Sequence, residues 1–259
     1  MTHPVRVSLQ THPQAGTYDA MLRTWQEADA LGADAIFIWD HFYPLYGEPD
    51  APHFGSTPLL AALGASTKNV QFGALVNGIG YRNPNLLADE ARTIDHISHG
   101  RFIFGVGSGW FQRDYDEYGY DFKTAPDRLR DLKAALPVIK DRLGKLNPGP
   151  VNGKLPIMIG GGGEKVTLRI VAEHADIWNG FGDPEAIAAK SAILDEWCAK
   201  IGRNPDEIER SVLIAAPEAI EQAGEYVAKG ITHIIYGVGG PDYDLDQLKR
   251  LLEWKSKLG

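Results

Sequence analysis

Short runs of apolar, largely β-branched residues alternate with longer amphipathic stretches from one end of the chain to the other, and the alternation repeats eight times. That rhythm commits the chain to a parallel sheet covered by helices, because parallel neighbours have to be joined by crossover connections. Strands are expected at 5–10, 35–40, 70–77, 101–106, 157–160, 176–179, 211–215 and 233–238. Helices are expected at 18–31, 57–66, 86–97, 128–143, 166–174, 184–201, 219–228 and 245–257. Segments 35–39 and 231–236 are apolar without alternation, as strands covered on both faces are. Thr17 and Asp183 suit N-caps, Pro184 a first helical turn, and Gly32, Gly144, Gly202 and Gly230 left-handed C-terminal positions.

A closed barrel and an open doubly wound sheet both satisfy this pattern. Two features favour the barrel: eight units of even length, and Gly, Asp, His or Asn at nearly every strand's carboxyl end, where barrel enzymes build their sites. The expectation is therefore a single (β/α)8 TIM barrel over residues 1–259, with a short helix in the aromatic and charged stretch 110–127 covering its mouth.

Composition narrows the function. A formal charge of −8 disfavours broad nucleic-acid binding, which depends on basic patches. No apolar run approaches the ~20 residues of a membrane span, and the start lacks a basic segment followed by an apolar one, so the chain reads as soluble and cytoplasmic. Cys198 is the only cysteine and falls on a helical pattern, which makes it a small core residue. The eight histidines show no metal-ligand spacing, so no metal is expected.

Four strand ends carry candidate chemistry. Asp40-His41-Phe42 closes the second strand before a Pro/Gly-rich loop, which should project His41 into the mouth as a proton donor or acceptor, with Asp40 orienting it or binding a ligand. Asn77-Gly78 ends the third strand and by itself reads as a turn. Gly107-Ser108-Gly109 follows the fourth and lets backbone approach a planar ligand closely, although the dinucleotide fingerprint is absent. Gly160-Gly161-Gly162-Gly163-Glu164-Lys165 follows the fifth and offers consecutive N–H groups ahead of a helix, a ready anion site.

Taken together, residues 7–10, 35–42 ending in Asp-His-Phe, 73–84, 87–109 with Asp95-His96-Ile97-Ser98-His99-Gly100-Arg101, 157–179 and 229–234 resemble the luciferase-like flavin and deazaflavin oxidoreductases, especially the branch that uses coenzyme F420. The resemblance implies a deazaflavin ring across the strand ends and hydride transfer between its C5 and a small-molecule substrate. It implies a non-prolyl cis peptide at Ala74–Leu75 behind the ring. It places Asp40 and His41 at the ring's border, Asn77, Gly107, Ser108 and Gly109 along the cofactor groove, and Gly161, Gly162, Gly163 and Glu164 at the phosphate of the cofactor side chain. Relatives are often dimers, but no cluster of Trp, Tyr or Arg marks an interface, so the sequence leaves open whether the chain is a monomer or a homodimer. Two positions depart from the branch's dehydrogenases: Trp110 stands where an acidic residue follows the Gly-x-Gly turn, and Leu45 where a Trp follows the Asp-His loop. An FMN-dependent monooxygenase and a catalytically silent F420 binder are the alternatives.

Overall fold

The computed structural model describes residues 3–214 and 221–258. Its strands are β1 (Arg6–Thr11), β2 (Ala35–Ile38), β3 (Gln71–Ala74), β4 (Asn77–Gly78), β5 (Phe102–Gly107), β6 (Ile157–Gly160), β7 (Ile177–Gly180), β8 (Glu209–Ile214) and β9 (His233–Val238). All pair in parallel, in the order β3-β2-β1-β9-β8-β7-β6-β5-β4, and β3 also pairs with β5 through Phe72↔Phe102. That last pairing closes the sheet into a barrel. β3 and β4 are two halves of one stave, so the nine segments make the eight expected positions.

The break within that stave is a cis peptide at Leu75–Val76, one residue later than the resemblance places it. The ladder explains the displacement: Ala74 is in register with Ile38, and the Leu75 amide still donates to Ile38 O at 2.7 Å, so regular pairing runs through Leu75 before it fails.

Helices α1 (Tyr18–Leu31), α2 (Ser56–Ser66) and α3 (Pro84–Ile97) are followed by α4 (Gln112–Tyr118), the expected short helix of the 110–127 stretch. Then come α5 (Ala125–Lys145), α6 (Thr167–His174), α7 (Pro184–Ile201), α8 (Ala223–Ala228) and α9 (Asp246–Ser256). Thr17 and Asp183 cap α1 and α7 by accepting from Ala20 N and Ala186 N, and Gly32 and Gly202 close them in the left-handed region. Gly144 does not end α5. The helix continues to Lys145, where Arg142 and Lys145 complement the negative end of its dipole, and it begins at Ala125 because Thr124 provides the cap. The expected strand end at Ala215 and helix start at Ala219 lie outside the described residues.

Side chains along each strand alternate between two cores, as the period of two requires. Inward-facing Ala35, Phe37, Leu75, Ile103, Met158, Ile177 and Ile235 fill the barrel, while Ile36, Phe72, Phe104, Trp178 and Ile234 pack outward under the helices. The amino-terminal floor is polar: Arg6 donates to both carboxylate oxygens of Glu209 (2.9 and 3.2 Å), and the fully buried His233 meets Glu209 Oε1 at 3.1 Å and Ser8 Oγ at 2.7 Å. Among the described residues no helix is long and apolar enough to cross a membrane.

Candidate active site

With the floor blocked by this network and the interior packed, access to the barrel is at the carboxyl ends of the strands. A cavity of about 270 Å³ opens there, lined by Asp40, His41, Leu75, Val76, Gly78, Tyr81, Gly107, Ser108, Gly109, Trp110, Gly160, Gly161 and Phe181. Four of its walls are the strand ends singled out from the sequence.

His41 is nearly buried, and its Nδ1–H donates to Asp114 Oδ2 at 2.6 Å. A carboxylate only accepts, so this bond puts the proton on Nδ1 and leaves Nε2 as the ring nitrogen without a partner among the described residues. Asp114 belongs to α4, has no exposed surface, and takes three further donors: Tyr81 Oη–H (2.9 Å) and the backbone N–H groups of Phe42 (3.0 Å) and Tyr43 (3.2 Å). Burial, then the charge of Asp114, pushes the Tyr81 phenol well up, so it remains a donor. Trp110 and Phe111 stand edge-on to the imidazole at 5.8 and 5.7 Å between centroids.

Asp40, expected to orient His41 or bind a ligand, lines the cavity but is paired with an arginine and not with the imidazole. Its two oxygens accept from Arg82 at 2.6 and 2.9 Å, and Oδ2 also accepts from Gly78 N at 3.1 Å. Asp40 therefore ties the second stave to β4, while the orienting carboxylate arrives from α4.

The cavity wall beside Val76 is built from backbone. A Cβ on Gly107 would sit 2.5 Å from Val76 Cγ2 and one on Gly160 3.2 Å from Val76 Cγ1, so both positions present bare peptide to the cavity. Gly161 has φ +120°, which side-chain-bearing residues rarely adopt. Beyond it the glycine run enters a second cavity, of about 410 Å³, lined by Gly162, Gly163, Glu164, Lys165, Val166, Thr167, Leu129 and Lys190. Lys190 of α7 lies over the turn, its Nζ 2.6 Å from where a Gly162 Cβ would be. These surfaces fit the two parts of a deazaflavin cofactor: a flat backbone cradle for the ring and a glycine turn with a lysine for the phosphate.

Two expected residues stand back from both cavities. Ala74 is fully buried in the outer core, and Asn77 Nδ2 donates to Gly105 O at 2.8 Å, fastening β4 to β5. Sequence reasoning missed Asp114, Tyr81, Arg82, Phe181 and Lys190. It also missed a buried cluster behind His41, in which His12 stacks on Trp39 at 4.4 Å and Trp39 Nε1–H donates to His53 Nε2 at 3.1 Å. Burial lowers the pKa of both His12 and His53 to about 4. Among the described residues no group of acidic, His or Cys side chains could hold a metal ion.

Comparison with known proteins follows the same geometry. Residues 1–250 match the family model described as luciferase-like monooxygenase. An F420-dependent glucose-6-phosphate dehydrogenase of Microbacterium testaceum is 27% identical over 230 residues, 81% of this chain and 67% of that protein. The oxygenase component of a flavin-dependent trigonelline monooxygenase of Acinetobacter baylyi is 32% identical over 141 residues, 54% of this chain and 37% of that protein. Among solved structures, an F420-dependent secondary alcohol dehydrogenase in complex with an F420–acetone adduct superposes with a TM-score of 0.83 at 17% identity, covering 96% of this chain and 98% of that one.

Proposed function

The chain belongs to the luciferase-like monooxygenase family, and on that premise we propose that it is an F420-dependent oxidoreductase acting on a small organic substrate. One observation carries the reading: an imidazole held by a buried carboxylate faces the same cavity as a backbone cradle that leads to a glycine turn with a lysine beside it.

When bound, F420 supplies or accepts a hydride at its C5. The chain's own residues supply position and proton chemistry. Gly107, Ser108, Gly109, Gly160 and Gly161 would hold the ring, and Gly162, Gly163 and Lys190 the phosphate. Because Asp114 holds the Nδ1 proton of His41, Nε2 is the atom that takes a proton from substrate alcohol or, when charged, gives one to substrate oxygen. Asp114 balances the positive charge of the imidazolium state. Trp110 and Phe111 keep water from two sides of the ring.

Titrating the purified protein with F420 and then with FMN, following fluorescence, tests the cofactor; tight binding of FMN alone would move the reading to a monooxygenase, which the Acinetobacter relative favours. With F420 bound, His41→Ala is expected to cut turnover about 100-fold or more while cofactor affinity stays within a few-fold. Unchanged turnover would remove His41 from the chemistry.

A further inference from the structure

Resting on the cofactor reading above, we infer that the substrate of this site is a flat, uncharged carbonyl compound with an aromatic or conjugated face, clamped at the rim by Trp110 and Phe181.

Two large apolar side chains on the wall of the first cavity are left in solvent: Trp110 is 61% exposed and Phe181 52%. They follow β5 and β7 and flank the glycine backbone after β6 that would carry the cofactor ring, so a substrate held between them lies over the outer face of that ring. Indole and phenyl rings in water on a cavity rim gain most by covering another flat apolar surface, and aromatic pairs favour stacked or edge-on contacts. His41 stands beside Trp110 with its Nε2 unpartnered among the described residues, so a carbonyl or hydroxyl oxygen on that surface meets this nitrogen, with the Ser108 hydroxyl on the same wall.

Charge points the same way. The ionisable groups on this wall are Asp40, His41 and Tyr81, and Asp40 is already paired with Arg82. The other nearby guanidinium groups are engaged: Arg128 donates to the carbonyls of Gly109, Phe122 and Lys123, and Arg113 lies over the Tyr43 ring and donates to Pro49 O. Lys165 and Lys190 line the second cavity. Residues 215–220, which follow β8, read Ala-Ala-Pro-Glu-Ala-Ile and carry no cation. A substrate phosphate or carboxylate would enter a cavity whose wall carries no lysine or arginine to pair with it, which leaves much of its desolvation uncompensated. The site thereby differs in preference from an enzyme of glucose 6-phosphate.

Isothermal titration with three probes tests this: coumarin, which is flat and neutral, coumarin-3-carboxylate, the same ring with a charge, and glucose 6-phosphate. Each is measured on the protein alone and after addition of F420. Coumarin is expected to bind at least tenfold tighter than either anion. Trp110→Ala and Phe181→Ala should each weaken it tenfold or more, and Trp110→Phe should restore it to within about threefold. Both positions are exposed, so the variants should keep the wild-type melting temperature. Equal or tighter binding of either anion, no coumarin binding, or unchanged coumarin affinity in both alanine variants overturns the inference. The F420 titration is read separately: selective coumarin binding without F420 binding would sink the cofactor reading and leave the clamp standing.

Discussion

At the scale of single residues, the site turns on one carboxylate. Asp114 lies 73 residues from His41 in the chain, on a seven-residue helix rich in charges that reads from sequence as a solvated cover. His41 was legible because it ends an apolar strand before a Pro/Gly-rich loop. Its partner was not: the stretch 110–127 reads as a short helix covering the mouth, but no local pattern tells which of its carboxylates turns inward to meet His41. The role of Asp114 as the group that orients His41 makes a specific demand. In Asp114→Asn the amide can still accept from the Phe42 and Tyr43 amides through its oxygen, but it can turn an N–H toward His41 and reverse the tautomer. Turnover with F420 bound is expected to fall about 100-fold with KM for the substrate little changed. A parallel rise in KM with kcat intact would instead assign Asp114 to binding.

At the scale of elements, the eight βα units and most of their caps could be read directly, because periodicity and capping are local. What escaped is pairwise. The stave made of β3 and β4 breaks after Leu75, where pairing with β2 ends, and no sequence window contains that partner. Glycines in β5 separate two kinds of constraint. A Cβ on Gly105 would lie 1.9 Å from Ala74 O, a backbone atom, whereas one on Gly107 meets the Val76 side chain, 2.5 Å from Cγ2. Gly105→Ala is therefore expected to destabilise the fold by about 2 kcal/mol or more, seen as a lower urea midpoint. Gly107→Ala should lower that midpoint less, since a side chain can yield where a backbone oxygen does not, and weaken F420 binding, because the added methyl displaces Val76 at the cradle. Equal effects of the two on stability would contradict this division. The glycine run after β6 permits a cleaner electrostatic test: Gly162→Asp puts a carboxylate against Lys190 Nζ, so F420 affinity should drop at least tenfold by titration, while retained affinity would remove this turn from the phosphate site.

At the scale of the whole barrel, histidines packed near its mouth and at its floor resist protonation. Burial drives the pKa of His12 and His53 down to about 4, the charge of His41 adding to the effect on His53, and burial drives His233 in the same direction despite Glu209 beside it. In the unfolded chain each would bind a proton near the ordinary value of 6.5. From there down to about 4 the unfolded state holds protons that His12 and His53 refuse in the folded state, and folding loses stability as pH falls. The slope is about 1.4 kcal/mol per pH unit for each such group, so His12, 7% exposed, contributes a loss of about 3 kcal/mol across the window and His53, nearer solvent, less. Against a total stability of about 5–15 kcal/mol that is a large fraction. Urea midpoints should thus be flat above pH 7 and fall steeply between pH 6 and 4. Replacing His12 with Gln removes one of these proton uptakes and should make the fall shallower. A midpoint that holds constant to pH 4.5, or an unchanged slope in His12→Gln, would mean that the cluster opens to water before it titrates.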